Sequence, residues 1–475
     1  IGLAKAIRSE KPMRYCLRGF ISHDPALGAN GTRLMGEPVY EVDASLPDAI
    51  RRNGIAAVLV APGRIGKFRN DTALQDYILQ SGARIFSANN VVDTEHDAIK
   101  GAPTLKEVSI EDLLPRDEIR VDLESVAESL RGKRVLITGS AGSIGSEIVR
   151  QVASFAPSKM MLIDSAETPQ HDIRRMMAHD FLSVPCATVV TSITKADRME
   201  NIFKTFLPEY VFHAAAYKHV PMMEDNPCES IQNNVLGTKI LADLSVKYGV
   251  RRFVMVSTDK AVNPTNVMGC SKRICEVYVQ SLNKAERDGV VKGQTQFITT
   301  RFGNVLGSNG SVIPIFERQI KAGGPVTVTD PNIIRYFMLI PEACELVLEA
   351  GTKGEGGEIF VFDMGKPVRI ADLARRMIEL SGAKGVEIKY TGLRDGEKLY
   401  EELLSESEAT KPSFHEKIRI ACVREYDWSD VSREIDALIA QSHTYDDMAV
   451  VASMKRLVPE YISNHSKYTV LDHKA

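Results

Sequence analysis

Asp259 and Lys260 are adjacent ionisable residues at the end of an apolar stretch, residues 252–257, that has the pattern of a buried strand. A carboxyl group beside an amine offers two proton-transfer groups, one as an acid and one as a base. That chemistry needs a protonated carboxyl and a neutral amine, whereas the unperturbed pKa values of about 3.9 and 10.4 favour the reverse. Burial without charge compensation would favour both neutral forms. The alternative is a plain Asp–Lys pair in a loop.

Met268 and Lys272 follow in a stretch with helical spacing and, being four residues apart, lie on one face of the predicted helix. The strand before them ends where a doubly wound fold binds its ligand. Met268 has no ionisable proton and cannot serve as a base. Core packing is the alternative interpretation of this methionine.

A glycine-rich turn, Gly139 to Gly145, lies between the predicted strand 134–138 and a helix expected to open at Ser146. In that context Gly139 permits the tight turn, Gly142 the approach of a pyrophosphate, and Gly145 close packing of helix on strand. The free N–H groups of the helix would face the phosphates.

Asp164 ends the next predicted strand, 25 positions after Gly139, near the spacing expected for an acid that binds the adenosine ribose. A carboxylate there repels a 2′-phosphate, and Ser165 rather than an arginine follows it. The sequence therefore predicts NAD rather than NADP. A strand-capping aspartate is the alternative.

The elements that must position these groups form an α/β pattern with two Rossmann-like domains. In the second, helical patterns separate six predicted strands: 134–138, 159–164, 187–191, 210–215, 252–257 and 296–301. After about Gly303 the pattern becomes mixed, which suits a smaller substrate-binding lobe. From about Asp427 it is helical and charged.

The N-terminal region alternates predicted strands with predicted helices, which favours a parallel α/β sandwich without a catalytic cluster. Its strands are 14–21, 56–61 and 83–87, and its helices are 46–53 and 71–81. The expected domains are 1–107, a helical linker 108–131, a catalytic domain 132–410 and a helical extension 411–475. Residues 1–7 resemble the first helix of a nucleotide-binding-type fold whose first strand is missing, so we expect a truncated domain.

The composition is that of a soluble globular protein, with 44% hydrophobic and 25% charged residues. A net charge of −3 gives no electrostatic case for a nucleic-acid partner. The seven cysteines are odd in number and form no CxxC pair, which argues against a disulfide framework or a metal site. No apolar run reaches the roughly 18 residues of a membrane span, and no signal peptide is visible.

Residues 258–269, Thr-Asp-Lys-Ala-Val-Asn-Pro-Thr-Asn-Val-Met-Gly, closely resemble the UDP-N-acetylglucosamine 4,6-dehydratases of bacterial glycan biosynthesis. These are large, membrane-associated extended short-chain dehydrogenases/reductases in which methionine replaces the tyrosine of Tyr-x-x-x-Lys. Further stretches match the same family in order: 213–224, 301–308, 335–338 and 392–398. The resemblance is dense from Gly132 onward and looser before it.

The resemblance implies Lys260 as the base at C5 of the hexose and Asp259 as the acid at C6, with Lys272 on the nicotinamide ribose. The group that takes the C4 hydroxyl proton stays open among Thr258, Asp259, Lys272 through water, and bulk solvent. The expected cofactor contacts are Gly139, Ser140, Gly142, Ser143, Ile144, Gly145, Asp164, Ser165, Ala214, Ala215 and Lys272.

The resemblance also places substrate contacts. Lys218, His219 and Glu224 would lie near the hexose, and Asn304, Arg335, Arg394 and Glu397 would hold the UDP. An arginine fork suits phosphate oxygens, although Arg335 and Arg394 could instead form surface salt bridges. Two residues depart from the family pattern: Ser192 stands where relatives place an aspartate, and Asp395 where they place a proline.

The resulting hypothesis is an NAD-dependent 4,6-dehydratase acting on a UDP-N-acetylhexosamine, with retention at C5. A UDP-sugar C4 epimerase is one alternative, but it needs no acid–base pair for C6. A catalytically silent nucleotide-binding scaffold is another, against which the intact Asp259, Lys260 and Lys272 speak. We expect a homo-oligomer and a cytoplasmic location for this part of the chain, and the resemblance further implies an inner-membrane anchor preceding Ile1.

Overall fold

The structure is a computed structural model that describes residues 2–9, 12, 14–24, 32–88, 105–114, 119, 121–402, 404 and 409–472. The chain divides into two compact units. The first comprises Ile1–Glu118, Ile315–Val328 and Ile370–Lys389, and the second comprises Ile119–Pro314, Thr329–Arg369 and Tyr390–Ala475. The first unit thus includes two segments from the C-terminal half, which no pattern in the sequence predicted. The expected boundaries at 107, 131 and 410 stay predictions.

The regular elements are numbered in chain order. The helices are α1 (Gly2–Ser9), α2 (Leu46–Arg52), α3 (Ile65–Arg69), α4 (Thr72–Ser81), α5 (Ile110–Leu113), α6 (Leu123–Leu130), α7 (Ser143–Ser154), α8 (Glu167–Asp180), α9 (Ala196–Phe206), α10 (Val220–Asp225), α11 (Pro227–Ser230), α12 (Gly237–Lys247), α13 (Val267–Arg287), α14 (Val312–Lys321), α15 (Ile340–Lys353), α16 (Ile370–Ser381), α17 (Trp428–Ser442) and α18 (Asp447–Leu457). The strands are β1 (Phe20–Ser22), β2 (Arg33–Leu34), β3 (Glu37–Glu41), β4 (Ala57–Val60), β5 (Arg84–Ala88), β6 (Leu105–Glu107), β7 (Arg134–Thr138), β8 (Lys159–Asp164), β9 (Cys186–Val190), β10 (Tyr210–His213), β11 (Arg252–Val256), β12 (Gln296–Arg301), β13 (Asn304–Leu306), β14 (Val326–Val328), β15 (Ile334–Arg335), β16 (Phe337–Leu339), β17 (Ile359–Phe362), β18 (Val368–Arg369), β19 (Ile388–Tyr390), β20 (Ala409–Pro412) and β21 (Ile418–Cys422). A π-helical segment, Ile231–Leu236, and a short 3-10 turn, Asp259–Ala261, complete the parts that matter below.

The first unit has mixed rather than purely parallel sheets. Strands β4 and β5 pair in parallel as expected, but β6 returns antiparallel to β5. Strand β3 likewise pairs in parallel with β1 and antiparallel with β2. Of the strand expected at 14–21, only the end is extended and paired, because β1 begins at Phe20. Helix α16, from the C-terminal half, joins this unit through an Arg376–Asp76 ion pair of 3.2 Å.

The second unit is built on a nine-stranded sheet in the order β20-β21-β17-β12-β11-β10-β7-β8-β9. The six strands expected from the sequence are present and parallel. Strand β17 adds a seventh parallel member beside β12. Strands β21 and β20 extend the edge antiparallel, so the region expected to be helical from residue 411 begins with strands. Its helices start at Trp428, after the N-cap Asp427.

The core of the second unit covers both faces of this sheet. Along β7, Leu136 belongs to one apolar cluster and its neighbours Val135 and Ile137 to another, as the alternation of a strand requires. Helix α13 is buried along most of its length, and α17 packs against it with Trp428 beside Tyr278. All seven cysteines are free thiols. No helix within the described ranges combines the length and apolar character needed to cross a membrane.

Candidate active site

The glycine-rich turn follows β7 and lies against the end of β10. Gly139 has a φ of +67°, and a Cβ there would stand 2.6 Å from the backbone nitrogen of Ala215. A Cβ on Gly145 would stand 1.9 Å from the carbonyl oxygen of Gly139. Helix α7 begins at Ser143, three residues earlier than expected, with Gly142 as its N-cap. The exposed backbone of this turn therefore fits the close approach of a pyrophosphate.

Asp164 and two serines stabilise that turn. The carboxylate of Asp164 accepts hydrogen bonds from the backbone nitrogens of Ala141 (3.0 Å) and Ala166 (2.9 Å). The Ser140 hydroxyl donates to Gln170 at 2.9 Å, and the Ser143 hydroxyl accepts from the backbone nitrogen of Asn309 at 3.1 Å. Asp164 thus caps the end of its strand in this structure. Contacts of Asp164 and of the exposed Ser165 with an adenosine ribose stay predictions.

Met268 and Lys272 lie in the first two turns of α13, as their spacing predicts. Met268 is 4% exposed within an apolar cluster, which agrees with a packing role. Lys272 is also buried, and burial is the largest influence on its ammonium and lowers its pKa. Among the residues that the structure describes, no side chain or carbonyl accepts a hydrogen bond from this ammonium. A largely buried lysine whose ammonium has no protein acceptor in the described residues fits a residue that binds a ribose hydroxyl.

Asp259 and Lys260 contact each other directly after β11. The Lys260 Nζ atom lies 3.0 Å from Asp259 Oδ1 and 3.3 Å from Oε1 of Glu401. The Thr258 hydroxyl donates to the same Asp259 oxygen at 2.9 Å. Burial raises the pKa of the Asp259 carboxyl, as the elimination chemistry requires.

The expectation of a lowered pKa for Lys260 is wrong for this structure. Burial is the largest single influence and lowers the pKa of the amine, but the carboxylates of Asp259 and Glu401 together outweigh it. The net result is a raised pKa. The prediction assumed burial without charge compensation, whereas the folded chain brings a second carboxylate to the amine.

Three buried polar atoms beside Lys260 have no hydrogen-bond partner within the described ranges. They are Asp259 Oδ2, Glu401 Oε2 and Asn304 Nδ2. Asn304 also places its Oδ1 atom 3.4 Å from Lys260 Nζ. Because buried polar groups are nearly always satisfied in native proteins, three unsatisfied atoms around one lysine set this centre apart from an ordinary packed core.

Arg335 has its guanidinium directed toward protein atoms. It donates to the carbonyl oxygens of Ile334 (2.7 Å) and Lys398 (2.8 Å), and lies 3.4 Å from Glu401 and 3.5 Å from Glu397. Arg335 is therefore buried rather than a surface salt-bridge residue. In this structure it holds the segment 397–401, and its contact with a phosphate stays a prediction.

The loop that carries Arg394 is held in place although Asp395 replaces the family's proline. The Gly396 nitrogen donates to the carbonyl of Asn464 at 2.7 Å, and the Asn464 amide donates to the carbonyl of Glu397 at 2.8 Å. The amide of Asn266, the N-cap of α13, donates to the Gly396 carbonyl at 3.1 Å. These hydrogen bonds anchor the loop without a proline at position 395.

An open pocket brings Lys260 together with three of the four UDP-binding candidates, Arg335, Arg394 and Glu397, whereas Asn304 does not line it. Its lining residues are Val220, Pro221, Lys260, Asn266, Arg335, Arg394, Asp395, Gly396, Glu397, Lys398 and Glu401. Arg394 is exposed at its edge, where its guanidinium is accessible to a ligand.

The three residues expected near the hexose, Lys218, His219 and Glu224, are not among the residues that line this pocket. Lys218 and His219 are exposed, and the His219 ring covers Gly310, where a Cβ would lie 2.6 Å from it. Both oxygens of the buried Glu224 are engaged, one by the backbone nitrogen of Val267 and one by the Ser466 hydroxyl, each at 2.6 Å. Glu224 therefore positions the start of α13, and its contact with the sugar stays a prediction.

Sequence reasoning missed Glu401 and Glu276. Glu401 follows the recognised 392–398 stretch by three residues, so the only signal was its proximity to that stretch. Glu276 lies one turn after Lys272 on the same helix face, and there it accepts a hydrogen bond from Ser257 at 2.7 Å. The available signal was that Glu276 is a charged residue within a helix whose other residues are mostly buried.

The parallel sheet with its glycine turn, and the Met268–Lys272 helix beside an acid–base pair, define an extended short-chain dehydrogenase/reductase. The family model described as polysaccharide biosynthesis protein matches residues 135–423. The chain belongs to that family.

Two relatives and one solved structure illustrate the similarity. Capsular polysaccharide biosynthesis protein CapD of Staphylococcus aureus is 43% identical over 397 residues, which cover 83% of this chain and 65% of CapD. The chain therefore spans less than two thirds of that relative's length. A UDP-glucose 4-epimerase of Rickettsia typhi is 35% identical over 286 residues, covering 59% of this chain and 80% of that protein. Among solved structures, Pen from Bacillus thuringiensis is 32% identical with a TM-score of 0.57, covering 61% of this chain and 89% of Pen.

Proposed function

We propose that this chain catalyses the NAD-dependent 4,6-dehydration of UDP-N-acetylglucosamine, giving a UDP-4-keto-6-deoxy-N-acetylhexosamine. The observation that carries the proposal is the hydrogen-bonded pair of Asp259 and Lys260, 3.0 Å apart, at the carboxyl end of β11. The glycine turn and Lys272 support NAD as the cofactor, and the similarity to CapD supports a role in polysaccharide biosynthesis.

Bound NAD would accept a hydride from C4 of the sugar and return it to C6. The C4 ketone acidifies the C5 proton, so a base can remove it while an acid protonates the departing C6 hydroxyl. The residues of this chain must supply that base and that acid within reach of the hexose. Lys272 would hold the nicotinamide ribose.

A single proton transfer prepares the pair. Lys260 donates a hydrogen bond to Asp259, so moving that proton across the 3.0 Å contact converts the ammonium and carboxylate into an amine and a carboxylic acid. These are the two forms that elimination needs. Lys260 then removes the C5 proton and Asp259 protonates the leaving hydroxyl, which restores the ion pair and releases water. Burial by itself favours the neutral pair because it disfavours both charges, whereas the Glu401 carboxylate favours the ammonium form of Lys260.

The return step reuses Lys260. Its ammonium gives the proton back to C5, so removal and return occur on one face and C5 keeps its configuration. The Thr258 hydroxyl, hydrogen-bonded to Asp259, offers one route for the C4 hydroxyl proton. Lys272 through water and bulk solvent stay open as alternatives.

A UDP-sugar C4 epimerase is the second candidate, favoured by the similarity to the Rickettsia typhi protein. Such an enzyme removes and returns hydride at C4 and needs no acid for C6. The buried Asp259 beside Lys260 is therefore the feature that favours dehydration.

Incubation with UDP-N-acetylglucosamine in deuterated water distinguishes the candidates. A 4-keto product with deuterium at C5, read by NMR, supports dehydration, whereas a C4 epimer without C5 deuterium supports the epimerase. Lys260→Met should abolish C5 exchange while NAD released on denaturation stays at the wild-type level. Lys204→Met, at an exposed lysine of α9, is the matched control and should retain activity. Full turnover by Lys260→Met would refute the assignment of the base.

A further inference from the structure

We propose that Glu401 is a third ionisable group of this centre, a positioning residue that sets the protonation state of Lys260 through direct charge contact. The inference deepens the proposed function, because it concerns how the base assigned to C5 gains and loses its proton. It rests on the placement of Glu401 and on the charges around Lys260.

Glu401 reaches Lys260 from a different part of the chain than Asp259. Its side chain is 4% exposed, and its Oε1 atom lies 3.3 Å from Lys260 Nζ and 3.4 Å from Arg335 Nε. Its Oε2 atom is buried without a hydrogen-bond partner within the described ranges. Asp259 Oδ1 lies 3.0 Å from the same ammonium. Lys260 thus contacts two carboxylates.

The charge balance shows why a second carboxylate matters. If Asp259 alone faced Lys260, placing the acid proton on Asp259 would leave a buried ammonium without a counter-charge. Glu401 supplies that counter-charge, so Asp259 can carry a proton while Lys260 is still an ammonium. An unpaired buried charge is far more costly than a paired one. Glu401 therefore determines how readily Lys260 becomes the neutral amine.

Other charged groups face this centre and must be considered in any pH dependence. Arg335 contacts Glu401, and Arg394, Asp395, Glu397 and Lys398 line the same pocket. Arg335 also pairs with Glu397 at 3.5 Å, so it keeps one carboxylate partner if Glu401 is neutralised. The change at Lys260 is then the direct consequence of neutralising Glu401.

The Lys260 pKa can be measured on the protein itself. Competitive acetylation across pH 7–11, with the peptide that contains Lys260 quantified by mass spectrometry, reports it without any substrate. Glu401→Gln keeps the shape of the side chain and should lower the Lys260 pKa by about 1–3 units, the effect of removing an opposite charge at this distance. An unchanged Lys260 pKa in a folded Glu401→Gln protein would overturn the proposal.

Two variants separate charge from structure. Glu401→Asp keeps the charge and should keep the Lys260 pKa near the wild-type value. Glu402→Gln removes the same charge one residue away, where the side chain pairs with Lys398 rather than Lys260, and should leave it unchanged. A drop in Glu402→Gln as large as in Glu401→Gln would contradict the specific contact, as would a similar drop in Glu401→Asp.

Turnover provides an independent readout. If Asp259 and Lys260 must together hold one dissociable proton for activity, the plot of kcat/KM against pH is bell-shaped. Its two limbs then report the two apparent pKa values of the pair. Loss of the Glu401 charge lowers both, so both limbs should move to lower pH. If the acetylation shift is seen but no 4-keto product forms in any variant, the proposed function fails and the role of Glu401 stands.

Discussion

The guanidinium of Arg301 and the carboxylate of Glu276 form a two-point ion pair inside the second unit, with Nε–Oε1 at 2.8 Å and Nη2–Oε2 at 2.7 Å. Neither side chain is more than 1% exposed. Ser257, the residue before the Thr-Asp-Lys turn, donates to the same carboxylate. The pair therefore joins β12 to helix α13 and, through Ser257, to the end of β11. The last two of these elements carry or precede the candidate catalytic groups.

Glu276→Gln should destabilise the protein strongly, because it leaves Arg301 and Arg273 buried with less negative charge. Breaking a buried pair by removing one partner costs about 3–5 kcal/mol. Urea unfolding followed by circular dichroism measures the loss. Asp430→Asn, which removes an exposed pair with Arg433, should leave the free energy of unfolding nearly unchanged. Equal stability of the wild type and Glu276→Gln would contradict this account.

Gly145→Ala should weaken the cofactor site. The added Cβ would lie 1.9 Å from the Gly139 carbonyl oxygen, so the turn must shift. Forcing a methyl group into such a contact costs about 1–3 kcal/mol. We expect at least tenfold weaker NAD binding in isothermal titration calorimetry. Gly66→Ala, in a helix with open space around the new methyl group, is the control and should bind NAD normally. Normal NAD affinity in Gly145→Ala would be inconsistent with a pyrophosphate held by this turn.

Glu224→Ala should lower stability more than it changes recognition of the sugar. The substitution frees the buried nitrogen of Val267 and the Ser466 hydroxyl, and an unsatisfied buried donor costs about 1–3 kcal/mol. The free energy of unfolding should fall, and the C-terminal segment should become more sensitive to protease. Ser466→Ala should reproduce part of this loss. An increase in KM for the sugar nucleotide with unchanged stability would instead favour a direct contact with the hexose.

Stability should fall below about pH 6.5 because of His213. This ring lies between the hydroxyls of Thr138 (2.8 Å) and Thr238 (2.9 Å), and burial, followed by the charge of Lys272, lowers its pKa well below the ordinary value. The unfolded chain binds a proton at this histidine near pH 6.5, while the folded chain does not. The contribution of neutral His213 is therefore complete above that pH and decreases by up to about 1.4 kcal/mol per pH unit below it.

The matched comparison is His213→Gln, which keeps hydrogen-bonding capacity and cannot titrate. The free energy of unfolding of both proteins is measured in urea at pH 7.5 and pH 5.5. In the difference between the two proteins, the contributions of the other titrating groups cancel. The stability advantage of the wild type should shrink at the lower pH. A difference that does not depend on pH would show that His213 is not the source.

Much of the second unit was predictable because its signals are local in the sequence. Each of the six parallel strands is a short apolar run, and the glycine turn lies directly between a strand and a helix. Asp259 and Lys260 are neighbours in the chain, as Met268 and Lys272 are neighbours on one helix face. Patterns within about a dozen residues determine such features, and these came out as predicted.

Contacts between distant parts of the chain were not predictable in this way. Strands β20 and β21 pair with the sheet edge, whereas the sequence predicts a helical extension from residue 411. The raised pKa of Lys260 depends on Glu401, which lies far from it in the sequence. Glu224 and Arg335 carry the residue types of ligand-binding groups, yet their charged atoms are occupied by the protein itself.

The sequence by itself determined the fold class of the second unit, the glycine turn and the identity of the paired acid and amine. Only the tertiary structure decided the charge environment of that pair, because the pKa of a buried group depends on which opposite charges the folded chain brings within a few ångströms of it. Local sequence patterns specify which ionisable groups are present. Long-range packing specifies the charges around each group and thereby the direction in which its pKa moves.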